Sequence, residues 1–423
     1  MTGGQPVDGP LDVPQVARQL QAEGVAKIAI VTDEPEKYPT AGAFPAGVEV
    51  FHRDRLDHVQ REMRETPGVT AIIYDQTCAA EKRRRRKRGL MEDPPKRVFI
   101  NELVCEGCGD CSTASNCLSV IPVETEFGRK RAIDQSTCNK DFSCVNGFCP
   151  SFVTVHGGGL RKHKPKSGDA RFAPLPEPAL PGLGEPYGIL ITGVGGTGVV
   201  TIGALLGMAA HIEGKGCSIL DMTGLAQKGG AVFSHVRLAE RPEDIHAVRL
   251  AAGGARLLLG CDIVVAATFD GLAKIAQGQT RAVINTEEAV TGDFTRNPDL
   301  EFPLETLKTM IADATGPGAT DFVDATRLAT ALLGDSIATN PFMLGFAYQK
   351  GLIPVSGAAI ERAIELNGVA VEANKRAFLF GRRAAHDPAA IDRLAAEMSP
   401  DSQPTPIART PVSYTHLTLP TKA

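Results

Sequence analysis

The sequence predicts an α/β protein that ends in a Rossmann-like parallel-sheet domain and carries a cysteine-rich module in its middle. Short apolar, β-branched runs alternate with helical stretches before residue 80 and again after residue 187, a pattern typical of parallel strands joined by crossover helices. Between these regions lie seven of the ten cysteines, from Cys105 to Cys149. A chain of 423 residues is long enough for several such domains.

The N-terminal region, residues 1–80, contains two predicted strands, KIAIVT (27–32) and VTAIIYD (69–75), and a helical pattern over 55–65. A basic run, EKRRRRKR (81–88), follows. We expect this run to be an exposed linker or a docking face for an acidic partner rather than a nucleic-acid-binding patch.

The composition favours a cytoplasmic protein that binds neither nucleic acid nor membrane. The net charge is −4, so the whole molecule has no electrostatic attraction to polyanions. The sequence has no apolar run long enough to span a bilayer, and its N-terminus lacks the pattern of a secretory signal. Clustered cysteines in such a chain indicate metal ligation rather than disulfides.

The spacing of these cysteines predicts a ferredoxin-like iron–sulfur module over residues 98–156. The first group reads C-x2-C-x2-C-x5-C and the second reads C-x2-D-x2-C-x4-C-P. Two-cluster ferredoxins use C-x2-C-x2-C-x3-C-P, in which the fourth cysteine of each run binds the other cluster. The strand-like pieces VFIN, SVIPVET, RAID and FVTV bracket the two groups. Structural zinc also uses C-x2-C pairs, but rarely three cysteines in succession at this spacing.

Crossed ligation of this kind gives one complete and one incomplete set of ligands. The complete set is predicted to hold a [4Fe–4S] cluster and consists of Cys105, Cys108, Cys111 and Cys149. In the other set an aspartate stands where the middle cysteine is expected, and its members are Cys117, Cys138, Cys144 and Asp141. This second site could hold an Asp-ligated [4Fe–4S] cluster or a [3Fe–4S] cluster, or could be empty. The cysteines outside both groups are expected to be buried small hydrophobes: Cys78, Cys217 and Cys261.

A glycine-rich loop opens the C-terminal domain, which is predicted over residues 187–393. The motif G-x-G-x-x-G lies between a strand and a helix and is formed by Gly193, Gly195 and Gly198. Gly196 occupies one of its variable positions, and all four glycines are candidate cofactor-binding residues. Asp221 follows at the spacing of a ribose-binding acid, so the pattern alone indicates a dinucleotide. A helix N-terminus beside a tight turn binds any phosphate, however, and such glycines can also serve only for packing.

The strand-like runs of this domain are GILITG, SILD, IVVAAT and RAVIN. A second Gly-rich loop, TGLAQKGG (223–230), precedes the strand AVFSHVRL and is expected near the first loop. Its Lys228 suits a phosphate or carboxylate contact as well as a solvated position. Residues 157–186 are rich in Gly and Pro and predict an interdomain linker. The tail VSYTHLTLPTKA (412–423) resembles a translated sequencing adapter and is expected to be non-native.

The order of these pieces closely resembles the fused indolepyruvate ferredoxin oxidoreductase family, which belongs to the thiamine-diphosphate-dependent 2-oxoacid:ferredoxin oxidoreductases. The resemblance rests on CEGCGDC, GFCPSFVTVHGG, ITGVGGTGVVTIGALLGMAA, TGLAQKGGAVFSHVRL and TNPFMLG. It implies oxidative decarboxylation of a 2-oxoacid such as indolepyruvate to an acyl-CoA, with electrons passing through [4Fe–4S] to ferredoxin. It also implies a homo-oligomer for the complete enzyme.

The same resemblance makes residues 1–80 the C-terminal part of a thiamine-diphosphate-binding domain, with Thr2 and Gly3 next to the cofactor. The part of that domain that holds Mg2+ and diphosphate is absent from this sequence, so the complete reaction is not expected from this chain alone, and no catalytic residue is assigned. Residues 187–393 become a gamma-type domain that meets coenzyme A rather than a dinucleotide.

Two competing interpretations remain open. One is a non-catalytic iron–sulfur electron-transfer subunit with a dinucleotide-binding domain. The other is a nucleic-acid-binding cluster protein that uses the basic residues Lys82–Arg88.

Overall fold

The computed structural model describes residues 9, 11–38, 42–147, 149–157, 174–224, 230–289, 297 and 299–398. The chain divides into two compact units, residues 1–106 with 130–158 and residues 107–129 with 159–423. Several features predicted from the sequence lie outside the described residues: Thr2, Gly3, part of the linker (158–173), Lys228 and the tail 412–423.

The first unit begins with a parallel sheet in the strand order β2-β1-β3. The central strand is β1 (Lys27–Thr32), and its neighbours are β2 (Glu49–His52) and β3 (Thr70–Asp75). Helices α1 (Val13–Ala22) and α2 (Leu56–Glu65) accompany the sheet. The two strands and the helix predicted for this region are therefore confirmed.

Helices cover both faces of this sheet. On one face Val31 packs with Met63 of α2, and on the other Ile30 packs with Ala17 of α1. A strand buried on both faces has no polar side to alternate with, which explains the continuous apolar run in β1.

The basic run after β3 is a helix, which corrects the expectation of a linker. α3 (Ala79–Lys87) contains the four consecutive arginines. Ala, Arg and Lys all have good helix propensity, and Arg85 pairs with Glu81 one turn earlier at 3.1 Å. Lys82 also pairs with Asp33 at 2.7 Å, which ties the helix to the loop after β1.

Strands and a short helix frame the cysteine-rich segment, and all the strand-like pieces predicted there form strands. β4 and β7 pair antiparallel, with Ile100 opposite Phe152, and β5 pairs with β6. The elements are β4 (Lys96–Ile100), α4 (Asp110–Ser115), β5 (Val120–Thr125), β6 (Gly128–Ile133) and β7 (Phe152–His156).

The second unit contains a mixed sheet in the strand order β13-β12-β11-β8-β10-β9. The strands are β8 (Tyr187–Val194), β9 (Gly216–Thr223), β10 (Ala231–Ala239), β11 (Leu257–Gly260), β12 (Arg281–Asn285) and β13 (Thr320–Val323).

The prediction of a parallel sheet is confirmed on one side of this domain and wrong on the other. β8, β11, β12 and β13 run parallel, but β10 is antiparallel to both β8 and β9. The segment from residue 224 to residue 230 is too short for a crossover, so β9 and β10 can pair only in antiparallel fashion.

IVVAAT, predicted as a strand, begins with a short helix, α6 (Ile263–Ala266). The Asp262 carboxylate accepts a hydrogen bond from the Val265 N–H at 2.8 Å and caps the helix start. The strand of this region is β11, immediately before the cap. A short apolar run does not distinguish the two structures.

Helices pack on both faces of the mixed sheet and form two separate apolar clusters. α10 and α12 pack closely against each other. Glycine permits this close approach, because a Cβ at Gly345 or at Gly381 would collide with a backbone carbonyl of the facing helix. No described helix combines the length and the apolar character needed to cross a bilayer. The remaining helices are α5 (Val199–Ile212), α7 (Phe269–Leu272), α8 (Leu304–Thr315), α9 (Ala325–Leu333), α10 (Thr339–Gln349), α11 (Gly357–Asn367), α12 (Val371–His386) and α13 (Pro388–Met398).

The described end of the predicted linker, residues 174–186, is attached to the second unit. Glu177 accepts hydrogen bonds from the Tyr348 hydroxyl at 2.6 Å and from the Arg382 guanidinium at 2.9 Å. The Gln349 amide donates to the carbonyl of Pro176 at 2.7 Å. This part of the chain therefore belongs to the domain that follows it, which corrects the expectation that it only connects domains.

Candidate functional site

The first cysteine group lies on a loop that two left-handed glycines shape. Gly107 (φ +77°) and Gly109 (φ +82°) flank Cys108. A Cβ at Gly107 would collide with the carbonyl of Arg129, so glycine is required there for its backbone conformation and for lack of space. The Cys108 thiol is exposed.

The other cysteines of this group are positioned by the ends of regular elements. Cys105 follows β4, and its N–H donates to the carbonyl of Asn101 at 2.9 Å. Cys111 lies in the first turn of α4. Asn116, in the left-handed conformation at φ +48°, ends that helix just before Cys117.

The second cysteine group lies on a loop that follows β6. The Cys138 N–H donates to the carbonyl of Asp134 at 3.0 Å, and the Lys140 N–H donates to Cys138 Sγ at 3.4 Å. Lys140 and Phe142 both adopt left-handed conformations, at φ +55° and +60°. A backbone N–H directed at sulfur stabilises a thiolate, and hydrogen bonds to sulfur are among the features that tune iron–sulfur clusters.

Asp141 stabilises the turn that carries Cys144. Its Oδ1 accepts hydrogen bonds from the Ser143 N–H at 3.1 Å and the Ser143 hydroxyl at 2.9 Å. Farther along, Cys149 is exposed, with its Sγ 3.1 Å from Ser151 Oγ. Asp141 thus has a local structural function in addition to its predicted ligand position.

Two arginines of α3 hold the backbone of the second cysteine loop. Arg83 donates to the carbonyl of Thr137 and Arg86 to that of Asn139, each at 2.8 Å. These carbonyls flank Cys138. This function of the basic run was not predicted from the sequence, although its position directly before the cysteine-rich module was a signal.

The chemistry of the donors fits an iron–sulfur cluster, because such clusters are held by cysteine thiolates, and hydrogen bonds to sulfur such as that from the Lys140 N–H to Cys138 tune their potential. Among the described residues, however, no group of three or more His, Cys, Asp or Glu side chains is arranged to hold a metal ion. None of the ten cysteines, which all lie in the described part of the chain, forms a disulfide. The assignment of each cysteine to a cluster stays a prediction from spacing.

Of the cysteines outside the two groups, Cys261 is buried as expected, and burial followed by the charge of Asp262 raises the pKa of its thiol to about 12. Cys217 is exposed and Cys78 is half-buried, so the expectation is wrong for these two. β9 is an edge strand, which leaves Cys217 partly uncovered.

The glycine-rich loop connects β8 to α5, as predicted. A Cβ at Gly193 would lie 2.6 Å from a valine methyl group of α5, so this glycine lets the helix approach the strand. Gly196 and Gly198 are left-handed, at φ +89° and +100°. The Gly195 N–H donates to the carbonyl of Gly230 at 2.8 Å, which joins the loop to the start of β10.

Asn340 fixes the same loop from α10. The residue is 3% exposed, and its side-chain amide donates to the carbonyl of Thr197 at 3.0 Å. Gly198 precedes α5 without any side-chain cap, so the first N–H groups of this helix remain available to an anion.

A second buried asparagine organises the carboxyl ends of the neighbouring strands. Asn285 ends β12 and donates to the carbonyl of Cys261 at 3.1 Å, while its Oδ1 accepts from the Ala325 N–H at 3.1 Å. It thereby joins β11 and β12 to the start of α9. Asn285 was not predicted as a site residue, since its only signal in the sequence was a polar residue at the end of the strand RAVIN.

Comparison with known proteins identifies the domain that contains this loop. Residues 188–384 match the family model described as pyruvate ferredoxin/flavodoxin oxidoreductase. These residues form a domain of that family. The match includes the glycine loop, Asn285 and Asn340, whereas both cysteine groups lie before it.

Relatives of the oxidoreductase-family domain include the indolepyruvate oxidoreductase subunits IorB of Thermococcus kodakarensis and Pyrococcus horikoshii. Each is 29% identical over 204 residues, which make up 48% of this chain and 96% of the relative. Similar solved structures include the gamma subunit of a keto/oxoacid ferredoxin oxidoreductase from Geobacter sulfurreducens, at 22% identity and a TM-score of 0.34, covering 47% of this chain and 98% of that one. The pyruvate oxidoreductase subunit PORC from Thermotoga maritima, at 21% identity and a TM-score of 0.35, covers 47% and 96%.

The topology of the oxidoreductase-family domain argues against a ribose contact for Asp221. In dinucleotide-binding folds the ribose-binding acid ends the strand next to the one that carries the glycine loop. Here β10 lies between β8 and β9, so Asp221 is one strand farther away.

Proposed function

We propose that the chain is part of a 2-oxoacid:ferredoxin oxidoreductase that passes electrons through iron–sulfur clusters to ferredoxin. The observation that carries this proposal is the combination, in one chain, of the oxidoreductase-family domain at 188–384 with a preceding cysteine segment of ferredoxin-like spacing. The names of the relatives support an aryl 2-oxoacid such as indolepyruvate as substrate. The proposed product, its acyl-CoA, rests on the resemblance of the sequence to the fused oxidoreductase family.

The proposed clusters are those that the spacing assigns. One [4Fe–4S] cluster would bind to Cys105, Cys108, Cys111 and Cys149, and a second site would comprise Cys117, Cys138, Cys144 and Asp141. A bound cluster supplies one-electron transfer, which matches a two-electron substrate oxidation to a one-electron acceptor.

Helix α3 fixes the backbone of the second cysteine loop before any ligand binds. Arg83 and Arg86 hold the carbonyls on either side of Cys138. With these carbonyls held, the Lys140 N–H stays directed at the Cys138 sulfur. Such preorganisation lowers the cost of ordering the loop around a ligand.

The glycine loop is the proposed contact for a phosphate group of coenzyme A, through Gly193, Gly195, Gly196 and Gly198. Support comes from the start of α5, which has no side-chain cap. Further support comes from Asn340, whose amide binds the Thr197 carbonyl oxygen by a hydrogen bond. Carbonyl oxygens repel an anion, whereas the N–H groups of the helix start attract it. Thiamine diphosphate and Mg2+ belong to the complete enzyme in this proposal, with Thr2 and Gly3 next to that cofactor.

Metal analysis of anaerobically purified protein tests the cluster assignment. The complete ligand set predicts about four iron and four sulfide ions per chain, and a filled second site raises both counts. Cys105→Ser or Cys149→Ser is expected to remove at least half of the iron, because each removes a ligand of the complete set. Cys217→Ser, outside both groups, is the matched control. Folded protein with stoichiometric zinc, or with neither metal, would refute the assignment.

The G-x-G-x-x-G motif favours a second candidate function, a non-catalytic electron-transfer subunit that binds a dinucleotide. Rapid bleaching of the cluster absorbance on addition of NADH would support this candidate. Bleaching by dithionite but not by NADH is the result that our proposal predicts.

A further inference from the structure

A cavity of about 250 Å3 opens on the second unit's sheet beside β9 and β10. Phe233 and His235 of β10 and Met222 of β9 line it. Phe233 packs with Leu190 in one apolar cluster, whereas the buried side of α5 belongs to the other. The cavity therefore lies on the face of the sheet opposite α5, and the proposed phosphate contact at the glycine loop does not use it.

His235 offers one hydrogen-bond donor to this cavity. The residue is 2% exposed, and its Nδ1 accepts a hydrogen bond from the Leu250 N–H at 3.3 Å. Because Nδ1 is an acceptor, the proton of the neutral ring is on Nε2. Nε2 has no hydrogen-bond partner among the described residues. Burial, and then the charges of Lys274 and Arg249, lower the pKa of His235, so the ring stays neutral and Nε2 remains a donor near pH 7.

The described residues at the mouth of the cavity carry more positive than negative charge. Arg249, Lys274 and Asp270 all line it. Within the described residues none of these three side chains forms an ion pair, although all three act electrostatically on His235. Two cations and one carboxylate leave a net positive charge beside an apolar floor, which favours a ligand with one negative charge and an apolar body.

We propose that this cavity is a binding site for a small organic monocarboxylate. The carboxylate group would lie between Arg249 and Lys274 and accept from His235 Nε2, and the apolar body would pack against Phe233 and Met222. Asp270 at the mouth repels a second negative charge, so the site selects monoanions over dianions. The cavity is slightly smaller than typical drug-binding pockets, which restricts the ligand to about the size of one ring with a short chain.

Calorimetric titration of the full 423-residue chain with phenylacetate tests this proposal. We expect saturable 1:1 binding with a Kd at or below about 1 mM. The neutral isostere phenylacetamide and inorganic phosphate are the comparison ligands, and both are expected to bind at least about tenfold more weakly, because the first lacks charge and the second lacks an apolar body.

Removing a positive or a negative charge at the mouth is expected to change the affinity for phenylacetate in opposite directions. Lys274→Met should weaken phenylacetate binding about three- to fivefold and Asp270→Asn should tighten it by a similar factor, as expected for exposed charges. Lys308→Met is the matched control, because Lys308 pairs with Glu305 on α8 and does not line the cavity.

Several outcomes would overturn the proposal. Absence of saturable binding would do so, as would equal binding of the amide, equal binding of phosphate, or equal effects of Lys274→Met and Lys308→Met. Circular dichroism of each variant separates a loss of binding from a loss of fold. None of these measurements depends on iron, so their failure leaves the proposed electron transfer untouched.

Discussion

Asn340 links two segments of the oxidoreductase-family domain that are far apart in sequence. Its amide reaches from the first turn of α10 to the carbonyl of Thr197, 143 residues earlier. The motif G-x-G-x-x-G specifies the glycines that the loop needs, but the asparagine that orients the loop is specified only by the tertiary fold.

Asn340→Ala should lower the free energy of unfolding by about 1–2 kcal/mol, because it removes a hydrogen bond to the loop and leaves a small void in a buried position. Urea denaturation measures the change. Asn367→Ala, at the exposed end of α11, is the control and should shift stability by less than about 0.5 kcal/mol. Equal effects of the two variants would show that the hydrogen bond to Thr197 contributes nothing.

The sequence correctly predicted that the glycine loop joins a strand to a helix, because this placement depends on neighbours in the chain. The close packing at Gly193 agrees with the packing function that such glycines can have. Asn285 and Asn340 were missed, because their partners come from other strands and helices. A polar residue at the end of a strand does not reveal which carbonyl it will meet.

Helix α3 also makes contacts to residues distant in sequence that could not be predicted from the sequence. A run of arginines predicts a charged, exposed segment, yet Arg83 and Arg86 have partners more than fifty residues later, on the loop that carries Cys138. The strand prediction for IVVAAT was wrong for a different reason, since a short apolar run is compatible with a strand or with a buried helix. In that case the preceding Asp262 decided in favour of a helix.

The double variant Arg83→Met, Arg86→Met should loosen the second cysteine loop. Two hydrogen bonds from charged donors to backbone carbonyls are lost, so amide hydrogen exchange over residues 137–140 should become about tenfold faster or more. Arg85→Met is the control, because Arg85 pairs with Glu81 on its own helix. Unchanged exchange in the double variant would contradict the function assigned to α3.

The segment 174–186 predicts a pH-dependent contribution to stability. The hydrogen bond from Tyr348 lowers the pKa of Glu177, burial opposes this effect, and Arg382 adds to the lowering. A carboxyl group whose pKa is lower in the folded state stabilises the fold above its unfolded pKa, and this contribution is lost as the pH falls through the folded pKa.

Glu177→Gln should therefore be less stable than the wild type at pH 7, by no more than about 1 kcal/mol because the pair is partly exposed. The difference should shrink toward zero below about pH 4. Thermal unfolding at both pH values measures it. Glu185→Gln, in the same segment with an exposed partner, should change stability little at either pH. A difference at pH 7 that persists at low pH would contradict the carboxylate's contribution.

At the scale of the whole molecule, composition and periodicity were sufficient to predict an α/β protein with parallel strands in both the N-terminal and the C-terminal regions. Strand β10 was predicted from AVFSHVRL, but its antiparallel direction was not, because periodicity identifies strands and does not give their direction. The grouping of cysteines into ligand sets still rests on their spacing alone.

Electron delivery to ferredoxin is the proposed function of this chain, and it can be measured directly. The chain is prepared anaerobically, reduced with light and deazaflavin, and mixed in a stopped-flow instrument with oxidised ferredoxin while the visible absorbance is followed. We predict that the reduced chain returns to its oxidised spectrum as ferredoxin is reduced, and that Cys105→Ser loses most of this transfer while Cys217→Ser retains it. A chain with no reducible visible chromophore, or a Cys105→Ser variant that transfers electrons as fast as the wild type, would contradict the account.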